Sequence, residues 1–182
     1  MVVTIHDSAA NFKSVPAFFG GNALDMKKIW RGALIAALYV ILTFLSSLAG
    51  LSGQGLIQFR FSEALAVLPC FCPEAIGGLF IGCLLSNLLT GAHIADILVG
   101  SFATLLGAAG AYALRNRRFL APLPTVFANA LLVPPVLVFA YGMSEAYWLL
   151  SLFVLTGEMG TAYLLGELLW PFLENNRHVF FT

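Results

Sequence analysis

The sequence predicts an all-α integral membrane protein, a bundle of six transmembrane helices. Three observations lead to this fold class. Of the 182 residues, 60% are hydrophobic and only 10% are charged, whereas soluble domains carry about 25% charged residues. The mean hydropathy is +0.91, and long apolar runs of roughly 18 to 25 residues take up most of the chain. The basic residues fall between these runs as the positive-inside rule requires.

Six predicted spans follow a mixed N-terminal segment. Residues 1–25 contain proline and glycine but no continuous apolar core, so we interpret them as a tail of unknown role. Residues 26–182 form the six-helix membrane domain. Met26, which two lysines and a long apolar run follow, is a candidate translation start. The spans are predicted at residues 29–50, 61–72, 74–89, 93–114, 121–141 and 147–173.

The orientation of the bundle follows from its basic residues. Alternating six spans from a cytoplasmic N-terminus leaves only Arg60 of the nine basic residues away from the cytoplasmic side. An odd number of spans would move Arg177 to the outside. We therefore predict that the N- and C-termini are both cytoplasmic. The basic residues placed inside are Lys13, Lys27, Lys28, Arg31, Arg115, Arg117, Arg118 and Arg177.

Several function classes are excluded by charge and motif. The formal net charge is zero, so the basic field needed for nucleic-acid binding is absent. Cys70, Cys72 and Cys83 lie in apolar runs without zinc-site spacing and are interpreted as small buried residues. The sequence has no G-x-x-x-x-G-K-[ST], H-E-x-x-H or G-x-S-x-G motif. We predict no catalytic or metal-binding residues, and no ATPase activity in this chain.

Glu158 is the most unusual residue of the predicted bundle, because it lies near the middle of the sixth span. A carboxylate there costs about 2.5–3.5 kcal/mol on insertion scales. We interpret it as a group that binds a ligand or a partner or carries a proton; the alternative is a neutral carboxylic acid bonded to a neighbouring helix. Glu167, on the opposite face of a straight helix, is interpreted as a packing or interface residue.

A second polar group surrounds the first outer loop. Gln58, Arg60 and Glu63 follow the glycine-rich segment 50–55, which is polar and flexible enough to serve as a lid. We interpret the three side chains as ligand contacts. The structural alternative is a local ion pair between Arg60 and Glu63 at i, i+3 spacing.

Further polar residues lie toward the same outer half of the bundle. Asn87, His93 and Asp96 edge the second outer loop, and helix capping is the alternative for the last two. Asn129 is an amide within the fifth span. It either bonds across helices or matches the edge of a heterocycle. Two adjacent prolines that follow it are expected to bend the outer half of that helix.

Rows of small residues at helical spacing let helices approach closely in lipid. Packing within the chain explains such a pattern on one helix, whereas the same pattern on three helices leaves room for a partner subunit. The first helix has two rows, Gly32 with Ala36 and Ala33 with Ala37. The other rows are Gly78, Gly82 and Ser86 on the third helix, and Asp96, Gly100, Ala103 and Gly107 on the fourth.

The middle of the chain resembles a known family. The motifs are Q-F-R-F-S-E-A-L at 58–65 with Leu68-Pro69, G-L-F-I-G-C-L-L-S-N-L-L-T-G at 78–91, and D-I-L-V-G-S at 96–101. They are similar to the substrate-binding S components of energy-coupling factor (ECF) transporters, and within these to the queuosine-precursor group called QueT. The Ala33 and Ala37 pair resembles the A-x-x-x-A row that docks S components on their transmembrane partner. The resemblance covers most of residues 26–173.

The resemblance implies a binding subunit of a prokaryotic cell membrane that captures its cargo from outside and is not an enzyme. An ECF coupling transmembrane subunit and two ATPase subunits are the implied partners, and the ATPases hydrolyse the ATP; this chain needs no cofactor. The implied cargo is queuine, queuosine or a related deazaguanine, a guanine-like ring bearing an amine. The expected ligand contacts are Glu158, Glu63, Arg60, Gln58, Asn87, Asn129, Asp96 and His93. The expected partner interface is Gly32, Ala33, Ala36 and Ala37.

Other functions stay open beside this one. The chain is alternatively an S component for another vitamin, or a self-sufficient ion-coupled secondary transporter in which Glu158 carries a proton. A requirement for partner ATPases, as against an ion gradient, separates the two classes. An intramembrane enzyme using His93, Asp96 and Glu158 is the least favoured function.

Overall fold

The computed structural model describes residues 26–51 and 59–177, and in these residues every regular element is helical. Helix α5 continues directly through a π-helical segment, Met159–Leu165, into α6. The α-helices are α1 Met26–Leu48, α2 Glu74–Leu89, α3 Ile94–Ala113, α4 Leu123–Phe139, α5 Tyr147–Glu158 and α6 Gly166–Asn175. A 3-10 helix, Phe61–Cys70, lies between α1 and α2, and a single 3-10 turn, Arg118–Leu120, precedes α4.

The six predicted spans coincide with six helical rods, which confirms the all-helical membrane fold. Among the described residues, four rods are long and apolar enough to cross a membrane: Met26–Leu48, Ile94–Ala113, Arg118–Phe139 and Tyr147–Asn175. The 3-10 helix extends about 20 Å and α2 about 24 Å, against a hydrocarbon core of about 30 Å. Six complete crossings and cytoplasmic termini therefore stay predictions.

The 3-10 helix lies at the centre of the bundle. It contacts α1, α2, α3, the π-helical segment and α6. Seven of its ten residues are buried, and Val67 has no exposed surface. A helix buried on all sides belongs in the interior of a bundle. Its first turn carries Glu63, so this central position brings a carboxylate into the protein interior.

Glycine determines how closely α1 and α2 approach. A Cβ atom on Gly78 would lie 2.6 Å from the carbonyl oxygen of Gly32, and one on Gly82 would lie 2.8 Å from Cβ of Tyr39. The two backbones are therefore in direct contact through the predicted row of small residues. The buried residues of α1 recur at helical spacing on this face and are Ile35, Ala36, Tyr39, Thr43 and Ser46.

The two rows of small residues on α1 face different surroundings. Gly32 and Ala36 belong to the face that packs on α2, whereas Ala33 and Ala37 are exposed. Exposed leucines flank the second row, so this surface faces lipid or another protein. Of the four small residues in these two rows, Ala33 and Ala37 are therefore the two that another helix could contact in this structure. A role of the four residues in a partner interface stays a prediction.

Three connections meet at one end of the bundle, which we call the outer end. They follow α1, α2 and α4, and polar contacts of Arg60, Asp96 and Tyr141 join them. Gly50 and Gly91 begin the first two connections at φ +72°, a left-handed conformation that glycine adopts without strain. The inner end contains the connection between α3 and α4 and the residues of α6.

Candidate ligand-binding site

A small cavity lies inside the bundle, toward the outer end. Its volume is about 20 Å³, little more than the roughly 10–15 Å³ that one water molecule requires. Any larger ligand therefore requires the walls to move apart. The lining residues come from the start of the 3-10 helix (Arg60, Glu63), α3 (Gly100, Thr104), α4 (Asn129, Val133) and α5 (Val154, Glu158).

Glu63 lines the cavity from the first turn of the 3-10 helix and is 3% exposed. The hydroxyl of Tyr39 donates a hydrogen bond of 2.5 Å to its Oε1 atom. Its Oε2 atom is buried and has no hydrogen-bond partner among the described residues. The local ion pair between Arg60 and Glu63 that the i, i+3 spacing allowed is wrong: among the described residues, the carboxylate within 4 Å of Arg60 is that of Asp96.

Glu158, the last residue of α5, lines the cavity and is 9% exposed. The Nδ2 atom of Asn129 donates a hydrogen bond of 2.9 Å to its Oε1 atom. Its Oε2 atom, like that of Glu63, has no partner within the described part of the chain. Each of the two carboxylates thus has one oxygen bound by a neutral donor and one oxygen without a partner.

A polar network extends from Arg60, in the cavity wall, to the connections at the outer end. Arg60 pairs with Oδ2 of Asp96 at 3.7 Å, and the same oxygen accepts a hydrogen bond of 3.2 Å from the Tyr141 hydroxyl. The backbone N–H of His93 donates to that hydroxyl at 3.2 Å. Burial, together with the nearby charge of Asp96, raises the pKa of Tyr141, so the phenol stays a neutral donor. The network joins all three outer connections.

The remaining predicted contacts lie outside the cavity wall. Asn87 is 2% exposed and its Nδ2 atom lies 3.5 Å from the sulfur of Cys83, behind Gly100. The Nδ1 atom of His93 accepts a hydrogen bond from the N–H of Ala95, which is the capping role given above as its alternative. Gln58 lies outside the described residues.

Sequence reasoning missed three hydroxyl-bearing side chains of the site: Tyr39, which holds Glu63; Thr104, which lines the cavity; and Tyr141, in the outer network. A signal for Tyr39 was present, since it shares one face of α1 with Thr43 and Ser46 in the otherwise apolar stretch 32–46. Thr104 and Tyr141 carry no comparable pattern. Hydroxyl-bearing residues are common in membrane helices, so their presence in a span does not by itself indicate a site.

The arrangement is suited to binding rather than to metal chemistry. The described residues contain no group of three or more His, Cys, Asp or Glu side chains that could hold a metal ion. The two free carboxylate oxygens accept hydrogen bonds, and Val133 and Val154 add apolar wall. A ligand with several N–H donors, a positive charge and an apolar ring face would satisfy all of these groups.

Known proteins similar to this chain are transporters. The model that describes the QueT transporter family matches residues 29–175. A queuosine precursor transporter QueT of Lactococcus lactis subsp. cremoris (strain MG1363) is 43% identical over 74 residues, which are 41% of this chain and 43% of that protein. The match thus spans less than half of the relative. No solved structure matches the chain.

The family match and the helices agree. The matched residues contain all four helical rods that are long and apolar enough to cross a membrane, apart from three residues at the start of α1. A multi-pass membrane location follows from both observations. Because the family model covers most of the sequence, this chain belongs to the QueT transporter family.

Proposed function

We propose that this chain is the substrate-binding S component of an ECF importer. It captures a queuosine precursor, a deazaguanine that carries an amine, from outside the cell. Uptake is driven by ATP hydrolysis in partner subunits. Family membership and the name of the bacterial relative support the proposal. The observation that carries it is the pair of buried carboxylates, Glu63 and Glu158, each with a free oxygen beside one cavity.

The free oxygens favour a ligand rich in donors. A buried acceptor without a partner costs about 1–3 kcal/mol, and more when it is charged. A guanine-like ring presents adjacent N–H groups that one carboxylate binds, and an ionised amine pairs with the other. Asn129 completes the polar surface by fixing Glu158. We expect Asn87 to contact the ring only after the cavity has expanded.

The division of labour between subunits rests on the sequence. The chain has no phosphate-binding loop, so two ATPase subunits supply the energy in this proposal. A coupling transmembrane subunit docks on the exposed face of α1, where Ala33 and Ala37 allow another helix to approach closely. The S component itself only binds and releases the cargo.

Calorimetry on the purified, detergent-solubilised chain tests the cargo. Queuine, queuosine and the aminomethyl deazaguanine precursor are titrated without ATP, with adenine as a negative control. Tight binding of one of the three supports the proposal and identifies the cargo. If a sample that unfolds cooperatively binds none of them, the proposed cargo is wrong.

Uptake into reconstituted vesicles tests the transport class. The proposal requires uptake only when the coupling subunit, both ATPases and ATP are present. Uptake by this chain alone, driven by an imposed ion gradient, would instead identify a secondary transporter in which Glu158 carries a proton. The two experiments separate an error in the cargo from an error in the mechanism.

A further inference from the structure

Three polar residues of α1 hold three consecutive residues of the 3-10 helix. The hydroxyl of Ser46 accepts a hydrogen bond of 2.8 Å from the N–H of Phe61. The hydroxyls of Thr43 and Ser62 are 2.9 Å apart. Tyr39 donates to Glu63 at 2.5 Å. We call Tyr39, Thr43 and Ser46 the α1 ladder. It fixes the first turn of the 3-10 helix against α1, one contact per residue.

Tyr39 differs from the other two members because its partner lines the cavity. The Tyr39 side chain is 1% exposed, and a Cβ atom added at Gly82 would lie 2.8 Å from Cβ of Tyr39, so α2 packs directly against the base of this side chain. Close packing around a buried ring restricts movement of the ring and of its hydroxyl. A donor held on Oε1 restrains the plane of the Glu63 carboxylate, and with it the direction of Oε2.

We propose that Tyr39 is a positioning residue for the ligand, acting through Glu63. It holds Oε1 of Glu63 so that Oε2 stays turned to the cavity and available to a donor on the cargo. The role for the ligand rests on the function proposed above; the effect on Glu63 does not. Tyr39 itself does not line the cavity.

The Tyr39 hydroxyl also keeps Glu63 from pairing with the other polar side chains of the cavity. Arg60 from the first outer connection, Asn129 of α4 and Glu158 of α5 share the cavity with Glu63. Without the Tyr39 hydroxyl, Glu63 is free to turn toward Arg60 or Asn129 and form a bond inside the protein. A ligand would then have to break that bond before binding, which lowers affinity.

Infrared spectroscopy of the protein without ligand tests the effect on Glu63. The band that disappears in Glu63→Gln identifies the Glu63 carboxyl group. We expect that band to shift in Tyr39→Phe, which removes only the hydroxyl, and to stay in place in Thr43→Val, which removes a different member of the α1 ladder. A band that does not move in Tyr39→Phe overturns the inference, whatever the ligand is.

Affinity measurements test the role for the ligand. We expect Tyr39→Phe to weaken binding of the cargo about 10-fold and Thr43→Val to change it less than twofold. In a Glu63→Ala background, which removes the acceptor, Tyr39→Phe should cause no further loss, because the two residues act through one contact. Equal losses in Tyr39→Phe and Thr43→Val, or additive losses in the double variant, would make the α1 ladder purely structural and overturn the inference.

A second variant replaces Tyr39→Phe if that protein does not fold. Glu63→Asp withdraws the carboxylate from the Tyr39 hydroxyl, and we expect the same loss of affinity. Unchanged affinity in Glu63→Asp would contradict the inference. If Tyr39→Phe shifts the Glu63 band but the wild-type protein binds none of the deazaguanines, the Tyr39–Glu63 contact is supported and the proposed cargo is rejected. The two proposals therefore fail separately.

Discussion

Two carboxylates on one helical rod, the buried Glu158 and the partly buried Glu167, have different surroundings. Glu167, at the inner end, accepts a hydrogen bond of 2.8 Å from Nε of Arg118, whose terminal nitrogen also binds the Glu167 carbonyl oxygen at 3.3 Å. The ring of Trp170 lies 5.8 Å from the same guanidinium group. Glu158, toward the outer end, has only the neutral amide of Asn129 as a hydrogen-bond donor among the described residues.

The difference shows that burial alone does not mark a functional acid. Each side chain has one buried oxygen without a hydrogen-bond partner in the part of the chain that the structure describes, and both lie in an apolar rod. What separates them is the cation: Glu167 has a matched positive charge in direct contact, whereas Glu158 faces a cavity. A carboxylate balanced by the protein stabilises a helix junction. A carboxylate without a contacting cation is available to a charge that the ligand brings.

The largest effect is expected for Glu158→Gln. The substitution keeps the size and one acceptor but removes the negative charge, so affinity for an amine-bearing cargo should fall about 100-fold. Calorimetry measures the change. Glu167→Gln is the matched control on the same rod and should leave affinity unchanged. Similar losses in both variants would show that the two acids are not functionally distinct.

Replacing Asn129 is expected to have an intermediate effect. Asn129→Leu removes the donor to Glu158, so the carboxylate loses its orientation and affinity should fall about 10-fold. Thr125→Val, one helical turn earlier on α4, is the control, since the buried Thr125 hydroxyl has no hydrogen-bond partner among the described residues. It should bind normally. Normal binding by Asn129→Leu, measured in the same titration, would remove the amide from the site.

Weakening the polar network of Arg60, Asp96 and Tyr141 is expected to have a small effect on the release of the cargo. Asp96→Asn weakens the contact with Arg60, whose side chain is 20% exposed, so the gain from this pair is modest. We expect dissociation of the cargo to become about threefold faster, because Asp96 holds Arg60, which lines the cavity, in place. Stopped-flow dissociation measures this rate. An unchanged rate would show that the network does not limit release.

At the inner end, Arg118→Ala should leave affinity unchanged and lower stability. Loss of the guanidinium leaves Glu167 buried without its cation, which costs about 3–5 kcal/mol for a fully buried pair. The Arg118 side chain is 38% exposed, so we expect about 1–2 kcal/mol. Thermal unfolding in detergent measures the loss. Arg117→Ala, an exposed neighbour, is the control; equal stability of the two variants would contradict a structural role for the pair.

The sequence predicted the rods and most of the polar lining of the cavity, because both follow from solvation. Apolar length reveals helices in lipid, and Glu63, Asn129 and Glu158 stand out because polar groups are costly there. The pairing of Arg60 was missed for a local reason. Arg60 has extended backbone angles, φ −107° and ψ 106°, so the i, i+3 rule of helices does not apply, and its partner lies on α3.

Other features depend on packing between helices, which a local pattern in the sequence does not reveal. The 3-10 form of the central helix reflects contacts with five neighbouring elements. The two small-residue rows of α1 differ by only one position in sequence, about 100° around the helix. Sequence reasoning therefore had no means to tell that Gly32 and Ala36 face α2 while Ala33 and Ala37 are exposed. Tertiary structure decided both.

The π-helical segment Met159–Leu165 sets the relative directions of the two acids. Its seven residues, followed by Gly166, separate Glu158 at the cavity from Glu167 at the inner end. A π-helical turn contains about one residue more than an α-helical turn, so the same residues in α-helical geometry would rotate one acid relative to the other. That rotation would separate either Glu158 from Asn129 or Glu167 from Arg118. A deletion of one residue that converts the segment to an α-helix would, by contrast, largely keep the two acids in their present relative directions.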